Sequence, residues 1–221
     1  MTTKTVARGS AKRTENMNKR REQILSCAGS IIASKGIEAL TLPKLAEEAE
    51  VTIPTIHNLI GKKSDIFKRL VEIMVSKVEH ALSQQNANEP IVAAETFVDK
   101  LLELFASNED FYKAAFVAGE SSQLFEHKLP TGIFAKSLQL TINLCLHAKE
   151  QGHLEGKIDT IQLAHELFGC QRLARYDWMH GYIDLKTYRK QVLAGMYILF
   201  ASDASPNYRV QLLNKLNALN S

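Results

Sequence analysis

Apolar residues recur at helical spacing along most of the chain. Ile24, Leu25, Ala28, Ile31 and Ile32 fall at i, i+1, i+4, i+7 and i+8, which predicts one buried helix face over 18–34, ending at Gly36. Leu42, Leu45, Ala46 and Ala49 predict a short helix over 42–49, with Thr41 as N-cap and Pro43 in its first turn, where the missing N–H is harmless. Glu50 and Val51 make a turn. Thr52 then caps a third helix that carries Pro54 in its first turn and points Ile53, Ile56 and Ile60 inward. A fourth helix runs from Ser64 to Gln84 with Ile66, Phe67, Leu70, Ile73, Met74 and Val78 on one side. The polar stretch 83–90 interrupts the pattern. Helices follow at 91–107, 109–120, 130–151, 159–180, 185–202 and 206–219, punctuated by Gly119, Gly152, Gly181 and the segment 202–206. No alternating strand pattern and no internal repeat occurs, so the fold class is all-α.

Charge divides the chain unevenly. Residues 1–70 hold 13 Lys and Arg against 7 Asp and Glu, a net of +6, whereas residues 71–221 hold 14 against 17, a net of −3. A basic head on a mildly acidic body is the distribution of a phosphate-binding protein. The first 17 residues are small, polar and basic, and are expected to form a tail without fixed structure. Lys4, Arg8, Lys12 and Arg13 suit either a trailing DNA-binding arm or a solubilising tail. The remaining division is 18–64 for the head and 65–221 for the body. Cys27, Cys145 and Cys170 are scattered, which argues against a disulfide framework or zinc site and for a reducing, cytoplasmic setting. No signal peptide and no apolar run of the roughly 20 residues that span a bilayer is evident.

Two short helices around a tight turn, propped by a longer one, form a helix-turn-helix. A helix that enters the major groove is short, exposed along one side and held at its N-terminus. The segment 52–59 has these properties. Candidate DNA contacts on it are Thr52, Ile53, Pro54, Thr55, His57 and Asn58, with free N–H groups at the helix start suited to a phosphate. Lys62 and Lys63 follow and can neutralise phosphates, while Thr41 and Lys44 contribute from the preceding helix. Simpler roles stand beside these: Thr41 and Thr52 as caps alone, the two lysines as a solvated face, His57 as a bystander.

Residues 19–71 resemble the DNA-binding domain of the tetracycline-repressor (TetR) family. The resemblance lies in Gly36, Ala39 and Thr41, in Leu45-Ala46-Glu47-Glu48-Ala49, in Val51-Thr52, in Thr55, and in Lys63 with Ile66-Phe67. Three positions differ from the family pattern: Glu50 stands at the turn glycine, His57 at a tyrosine, and Ile60 at a buried phenylalanine.

The resemblance implies that the body holds a ligand pocket and a dimer interface. Aromatic residues gather in its middle: Phe97, Phe105, Phe111, Tyr112, Phe116, Phe125, Phe134, Tyr176 and Trp178. Pocket candidates are Phe105, Phe116, His147, Gln171, Arg175 and Trp178, with Cys145 as a further polar contact. Leu163, Leu167, Cys170, Val192, Met196 and Leu199 are the candidates for pairing with a second copy in a four-helix arrangement. The implied function is that of a ligand-responsive regulator, a repressor: a homodimer, cytoplasmic and nucleoid-associated, on a pseudo-palindromic double-stranded operator, released by a small hydrophobic effector. No cofactor, metal or membrane partner is expected. An effector-independent DNA-binding protein with an architectural or division-linked role is the alternative. An enzyme is not expected: Glu150 and His153 form one ExxH spacing where a di-iron bundle needs two, and no nucleophile elbow or P-loop is present.

Overall fold

The structure, a computed structural model, describes residues 7–82, 89–121 and 133–219. Ten helices carry these residues: α1 Ala7–Lys35, α2 Leu42–Glu48, α3 Ile53–Leu59, α4 Lys63–Leu82, α5 Pro90–Ser107, α6 Glu109–Ser121, α7 Ile133–Glu150, α8 Thr160–Met179, α9 Leu185–Asp203 and α10 Pro206–Ala218. A 3-10 turn, Ile37–Ala39, links α1 to α2. Among the described residues there is no strand, only an isolated bridge between Leu154 and Ala204. The expected all-α class and the order of helices are observed. Lys4, Phe125 and the end of the fourth helix at Gln84 lie outside the described residues, as do residues 83–88 of the interrupting segment.

The chain divides into two compact units: Met1–Met74 with Asp110–Leu124, and Val75–Glu109 with Phe125–Ser221. The first unit therefore keeps the opening turns of α4 and most of α6, beyond the boundary at 64 that the sequence pattern indicates. Its core is the predicted face of α1, Ile24, Leu25, Ala28, Ile31 and Ile32, with Leu40, Leu45, Ala49, Ile56 and Ile66. On α3 only Ile56 is fully buried; Ile53 and Ile60 are half-buried. A seven-residue helix lays one turn against the core, and its end residues stay at the edge.

The tail expectation needs correction from residue 7 onward. Helix α1 begins at Ala7, eleven residues before the predicted start at 18. Residues 7–17 contain no proline and include long unbranched side chains of good helix propensity. Extending a nucleated helix adds a hydrogen bond for each residue fixed, so the apolar face at Ile24 need not mark its start. A Glu15–Lys19 pair at 2.8 Å supports the extension, one turn apart.

The turn between α2 and α3 is a Schellman motif. Val51 N–H donates to Ala46 C=O at 2.9 Å and Glu50 N–H to Glu47 C=O at 3.2 Å. Glu50 is left at φ 51°, the one non-glycine residue at positive φ among those described. A side chain there costs about 1–2 kcal/mol, of which glycine's extra unfolded entropy returns about 0.5–1. Glu50→Gly is therefore expected to stabilise the protein by about 0.5–1 kcal/mol, read as a rise in melting temperature of about 2 °C in calorimetry. No rise, or a fall, would show that Glu50 contributes through its side chain.

In the second unit, α8 packs on α7 and α9, α10 packs on α9, and α5 lies against α7 and α9. Gly195 permits the close approach of α9 to α8, since a Cβ there would sit 3.1 Å from the Cys170 sulfur. Polar ties fasten α5 to the C-terminal helices. Arg189 forms a forked pair with Asp99 at 2.6 and 3.0 Å, and that hydrogen-bonded carboxylate holds its guanidinium pKa above the ordinary value. Glu95 accepts from Tyr197 Oη and Lys215 Nζ, and Glu89 from Tyr208 Oη.

Candidate nucleic-acid interface and ligand cavity

Helix α3 is held at both ends. At its start Thr52 has extended backbone, and its hydroxyl accepts from Thr55 N–H at 3.3 Å. The two threonine hydroxyls also lie 2.9 Å apart. Thr52 is thus a cap, as expected, and it places a second hydroxyl, that of Thr55, beside the helix start. At the far end Arg21 of α1 donates from Nε to Leu59 C=O at 2.8 Å. Gln23 does the same for α2, donating to Ala49 C=O at 3.1 Å. These two clamps were not legible in the sequence, because their partners lie 38 and 26 residues away and are backbone atoms.

His57 and Asn58 are exposed on the outer side of α3, Pro54 is exposed at its first turn, and Ile53 and Thr55 are half-buried. Thr41 caps α2, accepting from Lys44 N–H at 3.4 Å, and Lys44 is half-buried. Lys62 and Lys63 stand at the start of α4. Asp65 reaches back to accept from Lys62 N–H at 2.8 Å, the acidic half of a capping box. Lys62 is exposed, while the Lys63 ammonium lies 5.6 Å from the centre of the Phe67 ring. Two cations at the positive end of a helix repel its dipole, a disfavoured arrangement that an anion at this point relieves. Lys35, the last residue of α1, is paired with Glu48 at 3.5 Å.

The second unit contains a cavity of about 70 Å³ walled by α5, α7, α8 and α9. Apolar side chains dominate it: Phe97, Val98, Leu144, Leu167, Phe168, Val192 and Met196, with Ser137, Thr141 and Gln171 as the polar groups. A neighbouring hollow of about 80 Å³ shares Phe97, Ser137 and Thr141 and extends between α5 and α7 to Leu140, which is exposed. Of the six pocket candidates, only Gln171 lines the cavity. It also joins a polar chain, donating to Tyr188 Oη at 3.3 Å and accepting from Arg175 Nη1 at 3.4 Å. Arg175 itself is buried, its guanidinium 4.6 Å from the Phe134 ring centre. Phe105 and Trp178 stack on each other in the core, and Phe116 belongs to the first unit. His147 is exposed beside Gln151. Cys145 is buried outside the cavity lining, and burial pushes its thiol up to about 12. Phe97 was among the gathered aromatics, but Phe168 and the two hydroxyl residues were missed, since periodicity does not distinguish a wall from a core.

Four of the dimer candidates are turned inward: Leu163, Leu167, Val192 and Met196 are buried within the unit, while Cys170 and Leu199 are half-buried. The exposed apolar residues of the same two helices are Ile161, Leu173, Tyr176 and Ile198, with Leu173 the most exposed at 64%. Glu150 lies 3.9 Å from His147, whereas His153 stacks on Tyr208, so the ExxH spacing assembles no pair. Among the described residues no group of three His, Cys, Asp or Glu side chains could hold a metal ion, and no helix is long and apolar enough to cross a membrane.

No protein-family model and no curated protein sequence matches the chain. Solved structures do. CprB of Streptomyces coelicolor A3(2), described as a TetR family protein, aligns over 91% of this chain and 97% of its own, with a TM-score of 0.72 at 17% identity. CprB in complex with its operator sequence aligns over 92% and 97%, with a TM-score of 0.67 at 18% identity. A gamma-butyrolactone receptor, described as ArpA-like, covers 92% and 98% with a TM-score of 0.67 at 17% identity. At these identities the likeness is one of fold: the chain has the architecture of TetR-type regulators over nearly its whole length.

Proposed function

We propose that this chain is a DNA-binding transcription regulator of the TetR type, a repressor that holds a pseudo-palindromic operator as a homodimer and releases it when a small apolar molecule binds the second unit. The observation that carries the reading is the pair of threonine hydroxyls at the start of α3, a short helix with His57 and Asn58 exposed on its outer side and Lys62 just beyond it. Such a helix presents hydroxyls and N–H groups to a phosphate and two polar side chains to base edges. A neighbour of the same fold, CprB, is described in complex with its operator sequence, which supports the DNA-binding reading.

The exposed apolar residues Ile161, Leu173, Tyr176 and Ile198 of α8 and α9 are the candidates for the surface that meets the second copy, since two half-sites lie about 34–36 Å apart, or a multiple of it, and need two heads. The cavity favours a neutral, largely apolar effector with one or two hydrogen-bonding groups for Ser137, Thr141 and Gln171. Among the described residues no charged side chain lines it, which favours a neutral ligand over a carboxylate. Small-molecule pockets are about 300–1,000 Å³, so binding requires α5 and α7 to part from α8 and α9. The ligand lowers operator affinity to the extent that it prefers the opened form. The small size of the cavity also favours a second reading, in which the protein binds DNA without an effector. Release of bound operator by a neutral apolar compound, or its absence across a hydrophobic library, separates the two.

Thr55→Ala is expected to weaken operator binding by about tenfold, the loss of one hydrogen bond to a charged phosphate. The check is fluorescence anisotropy on an operator selected from genomic fragments at about 50 mM salt, with the oligomer confirmed by light scattering. Unchanged affinity would mean the docking face is misplaced. Absence of any DNA binding by the wild-type protein would sink the function itself.

A further inference from the structure

We propose that the N-terminal part of α1 and helix α3 together form a clamp for the sugar–phosphate backbone of the duplex that α3 reads, with Lys12, Arg13, Lys19 and Arg20 as the phosphate-binding residues. The proposal rests on the DNA-binding reading above and extends it to a surface outside the helix-turn-helix. A cleft of about 820 Å³ lies between the two helices, and its walls include those four cations together with Thr55 and Asn58 of α3. Among the described residues no acidic side chain lines it. Lys12, Asn16, Lys19 and Gln23 fall at i, i+4, i+7 and i+11, so a polar stripe of α1 runs along the cleft.

Among the described residues no burial of an apolar face accounts for this part of α1. Residues 12–20 are all exposed, and the buried face begins only at Ile24. A helix segment that is polar but for Met17 and buries no apolar face gains little from its own chain. Its direction is nevertheless fixed relative to α3, because Arg21 donates to Leu59 C=O and to Asn18 Oδ1, holding α1 to the end of α3. The Lys19–Glu15 pair is open to solvent on both sides and readily exchanges for a phosphate. The occupant is duplex DNA because Thr55 and Asn58 belong to both the cleft and the proposed reading face: a strand seated between them and α1 is continuous with the groove that α3 enters. The cations add affinity for any sequence, and α3 adds discrimination.

The test uses the full-length triple variant Lys12→Ala, Arg13→Ala, Arg20→Ala, in which alanine preserves helix propensity. Binding to the selected operator and to a mixed-sequence duplex is measured across a salt series. Each phosphate contact contributes about 0.9 to the slope of log affinity against log salt, so the slope is expected to become shallower by about 3. Affinity for both duplexes is expected to drop by the same factor, on the order of 100-fold at about 0.1 M salt, leaving their ratio unchanged. The charge-retaining variant Lys12→Arg, Arg13→Lys, Arg20→Lys is expected to keep the wild-type slope. Asn58→Ala, by contrast, is expected to reduce the operator-to-mixed ratio. An unchanged slope in the alanine variant, with Asn58→Ala still reducing that ratio, overturns the clamp and leaves the DNA-binding reading standing. Loss of slope in the charge-retaining variant also overturns it. Wild-type protein that binds neither duplex overturns both, and binding to anionic phosphatidylserine vesicles instead would assign the cations to a membrane surface.

Discussion

Replacing Trp178 by alanine is expected to lower stability by about 4 kcal/mol. The indole is 0% exposed. It stacks on Phe105 at a centroid distance of 4.9 Å and meets Tyr188 edge-on at 6.2 Å. Its Nε1–H donates to Glu109 Oε1 at 3.0 Å. Truncation removes the burial of a large ring, breaks two aromatic contacts and takes a donor from a carboxylate. At about 2–4 °C per kcal/mol for a chain of this size, the melting temperature should fall by about 12 °C. Trp178→Phe keeps a ring in place and is expected to lose about 1–2 kcal/mol. The measurement also separates two roles for this residue. A pocket wall would tolerate truncation and show its effect in ligand binding, whereas a core residue loses stability with no ligand present. A loss below about 1 kcal/mol would refute the core assignment.

Asp203→Ala is expected to destabilise by about 3 kcal/mol, although the residue, on the last turn of α9, lines neither the cleft nor the cavity. Its carboxylate is 2% exposed. It accepts from three consecutive N–H groups, Gly156 at 2.9 Å, Lys157 at 2.8 Å and Ile158 at 3.1 Å. Gly156 holds φ 73°, the conformation that turns these donors toward one point. Glu155 N–H donates to Asp203 C=O at 2.7 Å, and Ser205 N–H to His153 C=O at 2.9 Å, so the segment between α7 and α8 is stitched to the junction of α9 and α10. Alanine removes the acceptor and leaves three N–H groups to whatever water can reach them. Asp203→Asn retains one acceptor oxygen and should recover part of the loss. Urea titration checks both variants. An alanine variant within about 0.5 kcal/mol of wild type would show that solvent satisfies the loop unaided.

Helix starts were legible where the signal is local. Thr41 and Thr52 cap α2 and α3 as their spacing predicts, and Glu50 adopts the positive φ that a turn glycine usually takes. The outer residues of α3 could be named for the same reason, because a short helix with one inward face leaves the remaining positions outside. The beginning of α1 was not legible: helix propagation into 7–17 leaves no apolar periodicity to read. The pocket and interface lists on the body helices fared differently. Trp178, Phe105, Leu167 and Met196 are large, apolar and helically spaced in the sequence, but two of them pack against each other and two line a cavity.

The sequence by itself determined the all-α class, the order of the helices, the turn of the helix-turn-helix and its exposed polar residues, because caps, glycines and 3.6-residue periodicity act within one or two turns of chain. Only the tertiary structure decided which carbonyls Arg21 and Gln23 hold, which three N–H groups Asp203 gathers, which aromatics are core and which wall, and that the basic start of α1 lies beside α3. Each of these joins groups from separate elements, and several end on backbone atoms that every residue carries. Which of them meet is set by the packing of whole helices.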